Sequence, residues 1–365
     1  MRLLLVAVLV VHGLIHLMGF AKAFGLAALP QLTVPIARPM GALWLAASLL
    51  MLAAAAAPPR LFWVVGLAAL VASQAVIFSS WSDAKFGTLA NLAVLLAVVY
   101  GFAAHGPFSL RAAYASDLAA QRDRVSATGV VTESDLAGLP EPVRRYLRFS
   151  GSVGQPRVRN LRARWRGRIR GAADEPWMAF TAEQHSTLGP SPTRLFFMDA
   201  TMKGLPVDVY HRFIDGAATF RVRVLSLFPM VDAAGPEMNR GETVTIFNDL
   251  CVLAPPALLA PAIRWEPISA NSARGVFTRG AETVSAVVTF DEAGELVDFV
   301  SDDRLRASPD GKRFTRQRWS TPLRDYRAYD GRRLASRGEA RWHDPARAFS
   351  YVELELLEVA FNVAP

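Results

Sequence analysis

Between Arg2 and Pro107 the chain carries five basic residues and one acidic residue, and long apolar runs fill the gaps between them. A helix that is apolar all round must be enclosed by protein or meet lipid, so this stretch constrains the fold more than any motif. A bilayer core takes about 20 mostly apolar helical residues. Arg2 to Lys22 encloses 19 uncharged residues, Arg38 to Arg60 21, Arg60 to Asp83 22 and Lys85 to Arg111 25. The spacing predicts four spans, near 3–20, 40–57, 61–80 and 88–105. Pro30, Pro35 and Pro39 precede the second span and Pro58-Pro59 ends it. Met1-Arg2, an apolar run and Ala21-Lys22-Ala23 loosely fit a signal peptide. His12, Gly13 and His16 interrupt that run and three more spans follow, which favours an uncleaved first helix.

Outside this region the composition is ordinary. Of 40 basic and 32 acidic residues, 35 and 31 lie beyond the spans, so the remainder is only net +4 and the high pI is no nucleic-acid signature. A single cysteine, Cys251, excludes an intrachain disulfide framework and a multi-cysteine metal site. The expected organisation is a four-helix transmembrane domain over 1–107, a helical linker over 108–157 and an antiparallel β domain over 158–365. In the linker, Leu110 to Arg124 has helical composition, Ser134-Asp135-Leu136 reads as a helix start, and Leu139–Arg148 reads as a short amphipathic helix.

From Val158 the period changes to two. Leu161, Ala163, Trp165, Gly167 and Ile169 alternate with Arg162, Arg164, Arg166, Arg168 and Arg170, and Val284, Ala286, Val288 and Phe290 repeat the alternation. Tight turns are marked at Asp215-Gly216, Asp310-Gly311 and Asp330-Gly331, and a longer one at Asp291–Gly294. Long strands are expected at Phe314–Tyr329 and Phe349–Phe361. Together these predict one large, curved, half-barrel-like antiparallel sheet. One helix crosses it: Asn239 to Glu242 has capping-box spacing, Val244, Phe247, Leu250, Cys251 and Ala254 share a face, and Pro255-Pro256 ends the run.

The segments His12–Phe20 (HGLIHLMGF), Asp83–Asn91 (DAKFGTLAN), Leu139–Tyr146 (LPEPVRRY), Gly241–Asp249 (GETVTIFND) and Trp319–Pro322 (WSTP) resemble a bacterial family of multi-span membrane proteins of unknown function. The resemblance runs through nearly the whole chain and implies no activity, catalytic residue or cofactor. More loosely, a curved sheet with a helix across it looks like the half-barrel of periplasmic lipoprotein carriers, which implies a lipid or lipoprotein ligand.

His12 and His16 are four apart and share one face of the first span. Polar groups inside a bilayer turn toward a bundle interior, where Gln74 and Asn91 are natural partners. No cofactor is expected; haem or metal at His12 and His16 is the alternative, although one helix cannot supply both axial ligands of a single haem. The arginine row 162–170 reads either as a solvated face paired with acids on a neighbouring strand or as a surface for anionic headgroups of membrane lipids. No nucleic-acid motif accompanies it.

Catalytic signals are thin. Glu183, His185, Asp199, His211, His343 and Asp344 are available, but no HExxH, GxSxG or glycine-rich phosphate loop occurs. Glu242, Thr245 and Asp249 lie on the polar side of helix 240–254, Glu242 reading as its capping glutamate. Apolar binding is better supplied: Trp165, Trp177, Phe247, Trp265 and Trp319 are candidate ligand contacts on a concave face that must be covered.

Two readings stay open. One is a non-enzymatic membrane protein whose membrane-proximal β domain binds a lipid, lipoprotein or other apolar ligand. The other is a membrane-bound enzyme or redox protein using His12 and His16 or the polar face of helix 240–254. The compartment expected is the bacterial inner membrane, multi-pass. Five basic residues against three place the β domain on the cytoplasmic side by the positive-inside rule.

Overall fold

The computed structural model describes residues 2–121, 129–308, 311–345 and 347–363. It separates into two compact units, Met1–Ala113 with Leu225–Leu227, and Tyr114–Val224 with Phe228–Pro365.

In the first unit α1 (Arg2–Ala23), α2 (Arg38–Ala56), α3 (Pro59–Ser79) and α5 (Gly87–His105) are long and apolar enough to cross a membrane, and α4 (Trp81–Ala84) is a single turn between the last two. Proline occupies the first turn of both α2 and α3, where a missing N–H costs nothing. The helices pack through small residues: a Cβ at Gly19 would stand 2.2 Å from the Trp44 ring, so only glycine lets α1 and α2 close there. Leu9, Met51, Ala54, Ala69, Val94 and Val98 form the interior, while Leu14, Val71 and Leu96 face outward, as lipid-facing positions require. The Asp83 carboxylate accepts from the Thr33 and Val34 amides at 2.5 and 2.8 Å and ties the two loops at one end of the bundle.

Of the expected helix from Leu110 to Arg124, α6 (Leu110–Ala120) is described and Arg122 and Arg124 lie outside the described residues. A 3-10 turn spans Glu133–Leu136 and α7 spans Glu141–Phe149. The strands that follow are β1 (Asn160–Ile169), β2 (Met178–Thr187), β3 (Thr193–Met202), β4 (Leu205–Ile214), β5 (Ala217–Val224) and β6 (Phe228–Ala234). Helix α8 (Pro236–Leu253) intervenes. Then come β7 (Ile263–Ser269), β8 (Ser272–Arg279), β9 (Glu282–Phe290), β10 (Leu296–Ser301), β11 (Leu305–Ala307), β12 (Phe314–Arg316), β13 (Trp319–Ser320), β14 (Leu323–Tyr329), β15 (Arg332–His343) and β16 (Ala348–Phe361).

Fourteen of these strands make one antiparallel sheet, ordered β6-β5-β4-β3-β2-β1-β16-β15-β13-β10-β9-β8-β7, with β14 also on β15. Helix α8 touches β5 and β6 and also β9 and β10, from opposite wings of that order, so the sheet must curl around it. The Arg279 guanidinium lies over the Phe213 ring at 4.5 Å and joins the wings at one end. Four apolar spans and a curved half-barrel sheet crossed by one helix are therefore the architecture of this chain.

Three local expectations change. The long strand 314–329 is split into β12, β13 and β14, because β11 and β12 leave the sheet as a separate hairpin. Of the turn expected at Asp310-Gly311, Asp310 lies outside the described residues. Helix α8 begins at Pro236 rather than at Asn239, so Glu242 sits two turns in and caps nothing. The turns Asp215-Gly216 and Asp330-Gly331 are as expected, with φ of 50°, 83°, 46° and 78°.

Candidate functional site

Directly opposed residues in an antiparallel sheet share a face, so the strand register arranges the inner face into rows. The row nearest the joined wings runs Ala218, Phe213, Arg194, Ser186, Leu161, Phe361 from β5 to β16. The next runs Phe220, His211, Phe196, Gln184, Ala163, Val359. Polar groups end there. The third row is Val222, Val209, Met198, Ala182, Trp165, Leu356, and the fourth is Val224, Val207, Ala200, Phe180, Gly167, Leu354. The inner face is thus polar under α8 and apolar toward the far end of the strands.

Helix α8 seals the polar rows. Arg194 donates from Nε to Asp249 at 2.7 Å and from Nη1 to Glu242 at 3.1 Å, and Gln184 donates to Asp249 at 2.7 Å. The Glu242 side chain has no exposed surface. His211 Nε2 stands 2.8 Å from Glu242 Oε2, close but off the line of a well-directed hydrogen bond. Arg304 donates to Thr245 Oγ1 and the Gly241 carbonyl. Burial alone would raise the Glu242 pKa; the charges of His211 and Arg194 outweigh it and hold the group at about 2. Burial dominates at Asp249 and raises it despite Arg194. The side of α8 that reads as its polar face from sequence is therefore turned inward. Arg194 and His211, which collect its carboxylates, carry no local signal beyond inward-facing strand parity.

The opposite side of α8 fills the other wing. Phe247 packs 5.5 Å from Phe277 and 5.3 Å from Phe299 between ring centroids, and 6.2 Å from Trp265. Trp319 continues this cluster, 6.1 Å from Phe299, and donates from its indole to Tyr351 at 3.2 Å. Phe247, Trp265 and Trp319 are thus brought together as packed core. Trp165 stands apart in the third row, buried, with its indole N–H unpaired. Trp177 lies outside the sheet under the Arg168 and Arg170 guanidinium groups, 4.6 and 4.3 Å from its ring. It borders an open cleft of about 420 Å³ shared with Arg341 and Arg347. The void between Ile246 and Leu250 of α8 and Leu161 and Thr193 of the sheet is only about 10 Å³. That is at the limit for one water.

A second hairpin, β11–β12, bridges the concave side. Asp303 anchors its base, accepting from Arg240 at 2.8 Å, Arg316 at 2.7 Å and the Ser285 amide at 2.8 Å. Its Gly311 reaches Val231 and Ala233 of β6, where a Cβ would stand 2.9 Å from the valine. On the inner face, Val222, Val231, Ile169, Val352 and Leu354 remain partly exposed.

The arginine row projects from the outer face and meets acids on β16. Arg162 reaches Glu358 at 2.8 Å, Arg164 the same residue at 3.7 Å, Arg166 reaches Glu355 at 2.7 Å and Arg168 reaches Glu353 at 2.7 Å. Arg170 instead donates to the Ser350 and Ala173 carbonyls. Further across the outer face, Tyr114 bonds His185 at 2.6 Å, and Asp117 accepts from Tyr210 at 2.8 Å and Arg212 at 2.9 Å. His185 is spent on this packing.

In the bundle, His12, His16, Gln74 and Asn91 form one network through Ser73. Asn91 Nδ2 donates to Gln74 at 2.9 Å, which leaves Oδ1 to accept from the Ser73 hydroxyl at 2.9 Å and from His12 Nε2 at 3.0 Å. With its only proton given to Asn91, Ser73 accepts from His16 Nε2 at 2.8 Å. Both Nε2 atoms are thereby engaged, and His16 Nδ1 is buried without a partner. Among the described residues no group of three or more His, Cys, Asp or Glu side chains is placed to hold a metal.

Solved structures give remote likenesses. A domain described as outer membrane lipoprotein-sorting from Vibrio parahaemolyticus is 14% identical, with a TM-score of 0.31, covering 56% of this chain and 86% of that one. A DUF1329 family protein from Desulfovibrio piger is 10% identical, with a TM-score of 0.36 and coverages of 65% and 95%. A LolA superfamily protein from Nitrosomonas europaea is 10% identical, with a TM-score of 0.30 and coverages of 65% and 96%. No curated protein matches the chain. Residues 129–354, more than half of the sequence, match the family of unknown function DUF6544, and the protein belongs to that family.

Proposed function

We propose that this is a non-enzymatic, multi-pass protein of the bacterial inner membrane whose β domain holds an apolar ligand, a lipid or the acyl part of a lipoprotein, on its concave face. The observation that carries the reading is the change of the inner rows from polar to apolar along the strands. Val224, Val207, Ala200, Phe180, Gly167 and Leu354 make an unbroken apolar floor across six strands, bridged by the β11–β12 strap. Val224, Val207, Ala200 and Phe180 are already buried, but Val222, Val231, Ile169, Val352 and Leu354 on the same inner face are partly exposed, which is costly unless something covers them, at about 25 cal/mol per Å² of apolar area. A flexible acyl chain suits a shallow floor that has no fixed polar contacts.

The polar helix face does not favour an enzyme. Glu242 is sealed, and both its carboxylate and that of Asp249 are engaged by Arg194.

The test is the lipid content of the purified full-length protein, measured by native mass spectrometry and solvent extraction. Wild type should carry lipid in a fixed ratio, and Ala200→Trp, which raises a large side chain from the middle of the floor, should carry several-fold less. Equal lipid in the two proteins, or none in either, overturns the reading.

A further inference from the structure

Trp165 stands where the inner face changes from polar to apolar. It is 8% exposed, and among the described residues no acceptor meets its indole Nε1. Two other interior tryptophans are satisfied: Trp265 donates to the Leu258 carbonyl at 3.1 Å and Trp319 to Tyr351 at 3.2 Å. A buried indole N–H ordinarily finds a partner, because an unpaired one gives up its hydration for nothing.

The register explains why Trp165 has none. Its inner-face neighbours are Ala182 on β2 and Leu356 on β16, with Met198 beyond, and none of these side chains carries oxygen or nitrogen. Gln184, opposite Ala163, turns its amide nitrogen to Ser186 and Asp249 under α8. The backbone is also irregular at this point. Arg164 faces Glu358 but Trp165 faces Leu356, so Leu357 is an extra residue in β16. Such bulges re-aim a side chain and recur beside functional sites.

Beyond Trp165 the inner face opens. Gly167 and Leu354, directly opposed, are both partly exposed, and so are Ile169, Val352 and Met178 in the row after them. These positions form an apolar lane along β1. From Trp165 to Ile169 it runs about 13 Å at the usual strand rise.

We propose that the Trp165 indole N–H is the polar contact of the ligand site, donating to the ester carbonyl of an acyl chain that lies along this lane. Resting on the reading of the concave face as a lipid site, this contact narrows the ligand to an ester-linked chain, of a glycerolipid or of the diacylglyceryl group of a lipoprotein. A single N–H suits a neutral acceptor. A free fatty acid would bring a carboxylate, and Arg194, the inner-face guanidinium two rows away, is already held by Glu242 and Asp249. A plain hydrocarbon would leave the N–H unpaired. The N–H is itself enclosed, so the carbonyl meets it as the ring turns toward Gly167. The ring torsion is broad, and the flanking Ala163 and Ala182 are small.

The experiment uses the full-length protein, stripped of lipid in detergent and offered an equimolar mixture of diacyl phosphatidylethanolamine and its dialkyl ether analogue. The two lipids differ only in the carbonyls. Native mass spectrometry of the re-isolated wild type should show the diacyl form retained about fivefold over the dialkyl, the scale of one neutral hydrogen bond. Trp165→Phe keeps an aromatic ring without the N–H, so it should retain lipid and lose the preference. Wild type alone gives a second readout. With nitrogen-labelled indoles, the diacyl lipid should move one indole N–H resonance downfield and the dialkyl lipid should leave all of them in place. Equal retention of the two lipids by wild type, a preference that survives in Trp165→Phe, or an unmoved resonance overturns the contact while leaving the floor. No lipid retained by wild type overturns the floor and the contact together. A diacylglyceryl-cysteine peptide as third probe separates the sources: retention above the diacyl phospholipid assigns the ester to a lipoprotein, and retention below it to a membrane glycerolipid.

Discussion

Arg194 and Glu242 meet at 3.1 Å inside the sheet, the carboxylate with no exposed surface and the guanidinium nearly enclosed. Removing one member of a buried pair leaves the other charge uncompensated, at about 3–5 kcal/mol. Glu242→Gln is therefore expected to destabilise the β domain by that order in denaturant titration. A variant that replaces the whole cluster, Arg194→Met with Glu242→Leu and Asp249→Asn, should recover much of the loss, since the Asp249 carboxylate that Arg194 also holds is then not left buried without its partner. A Glu242→Gln protein as stable as wild type would show that the pair is not formed.

The two carboxylates of α8 respond to acid with opposite sign. Glu242 has its pKa lowered from 4.5 to about 2, so it adds stability that is fully present above pH 4.5 and is lost as pH falls toward 2. Asp249 is raised above 3.8 by burial, so its ionised form subtracts stability at neutral pH and the penalty is relieved on acidification. Glu242→Gln should flatten the acid limb of the stability profile between about pH 4.5 and 2, whereas Asp249→Asn should steepen it and cost less at pH 7. Identical acid limbs in wild type and Glu242→Gln would refute the assignment.

Gly275 is required by Phe247: a Cβ there would stand 2.4 Å from the ring, and the ring is fixed by Phe277 and Phe299. Gly275→Ala should cost about 1–3 kcal/mol by overpacking. Phe247→Leu should offset part of that cost in the double variant. Additive losses would mean that the two positions do not touch.

Ser73 is the shared partner of His12, His16 and Asn91. Ser73→Ala should weaken the bundle by about 1–2 kcal/mol, the usual scale of polar contacts between membrane helices. The readout is unfolding in mixed detergent micelles. A visible haem band or stoichiometric metal that disappears in His16→Ala would replace this structural role with a cofactor role.

Cys251 is 1% exposed, and burial pushes its thiol up. It should stay unreactive toward a membrane-impermeant maleimide in the folded protein and react fully after denaturation. The side of the membrane occupied by the β domain must accordingly be read from an introduced cysteine, for which exposed Leu357 is a suitable position. Labelling there in intact, outer-membrane-permeabilised cells would refute a cytoplasmic β domain.

Much of the fold is legible locally. The spans can be read because a lipid solvent demands apolarity from each helix separately. The turns at Asp215-Gly216 and Asp330-Gly331 can be read because their positive φ restricts residue type. The network of His12 with Asn91 and Gln74 could be expected, since polar side chains in a bundle have few partners to choose from. The site on α8 could not. Glu242 reads as a cap and Asp249 as a solvated residue until a sheet curls around the helix, and Arg194 sits 48 and 55 residues away from them. The break in 314–329 is equally hidden, because the β11–β12 strap leaves the sheet to cover a concavity that exists only once both wings are in place.

The sequence by itself determined four apolar helices, an alternating β region and one helix within it, because hydropathy, strand period and turn chemistry act over a few residues. Tertiary structure alone decided which faces became interior. Curvature turned the polar side of α8 toward Arg194 and His211, paired the arginine row with Glu353, Glu355 and Glu358, and lined up short apolar segments of six strands into one floor. Each outcome depends on strand register, and register is set by contacts between residues far apart in the chain.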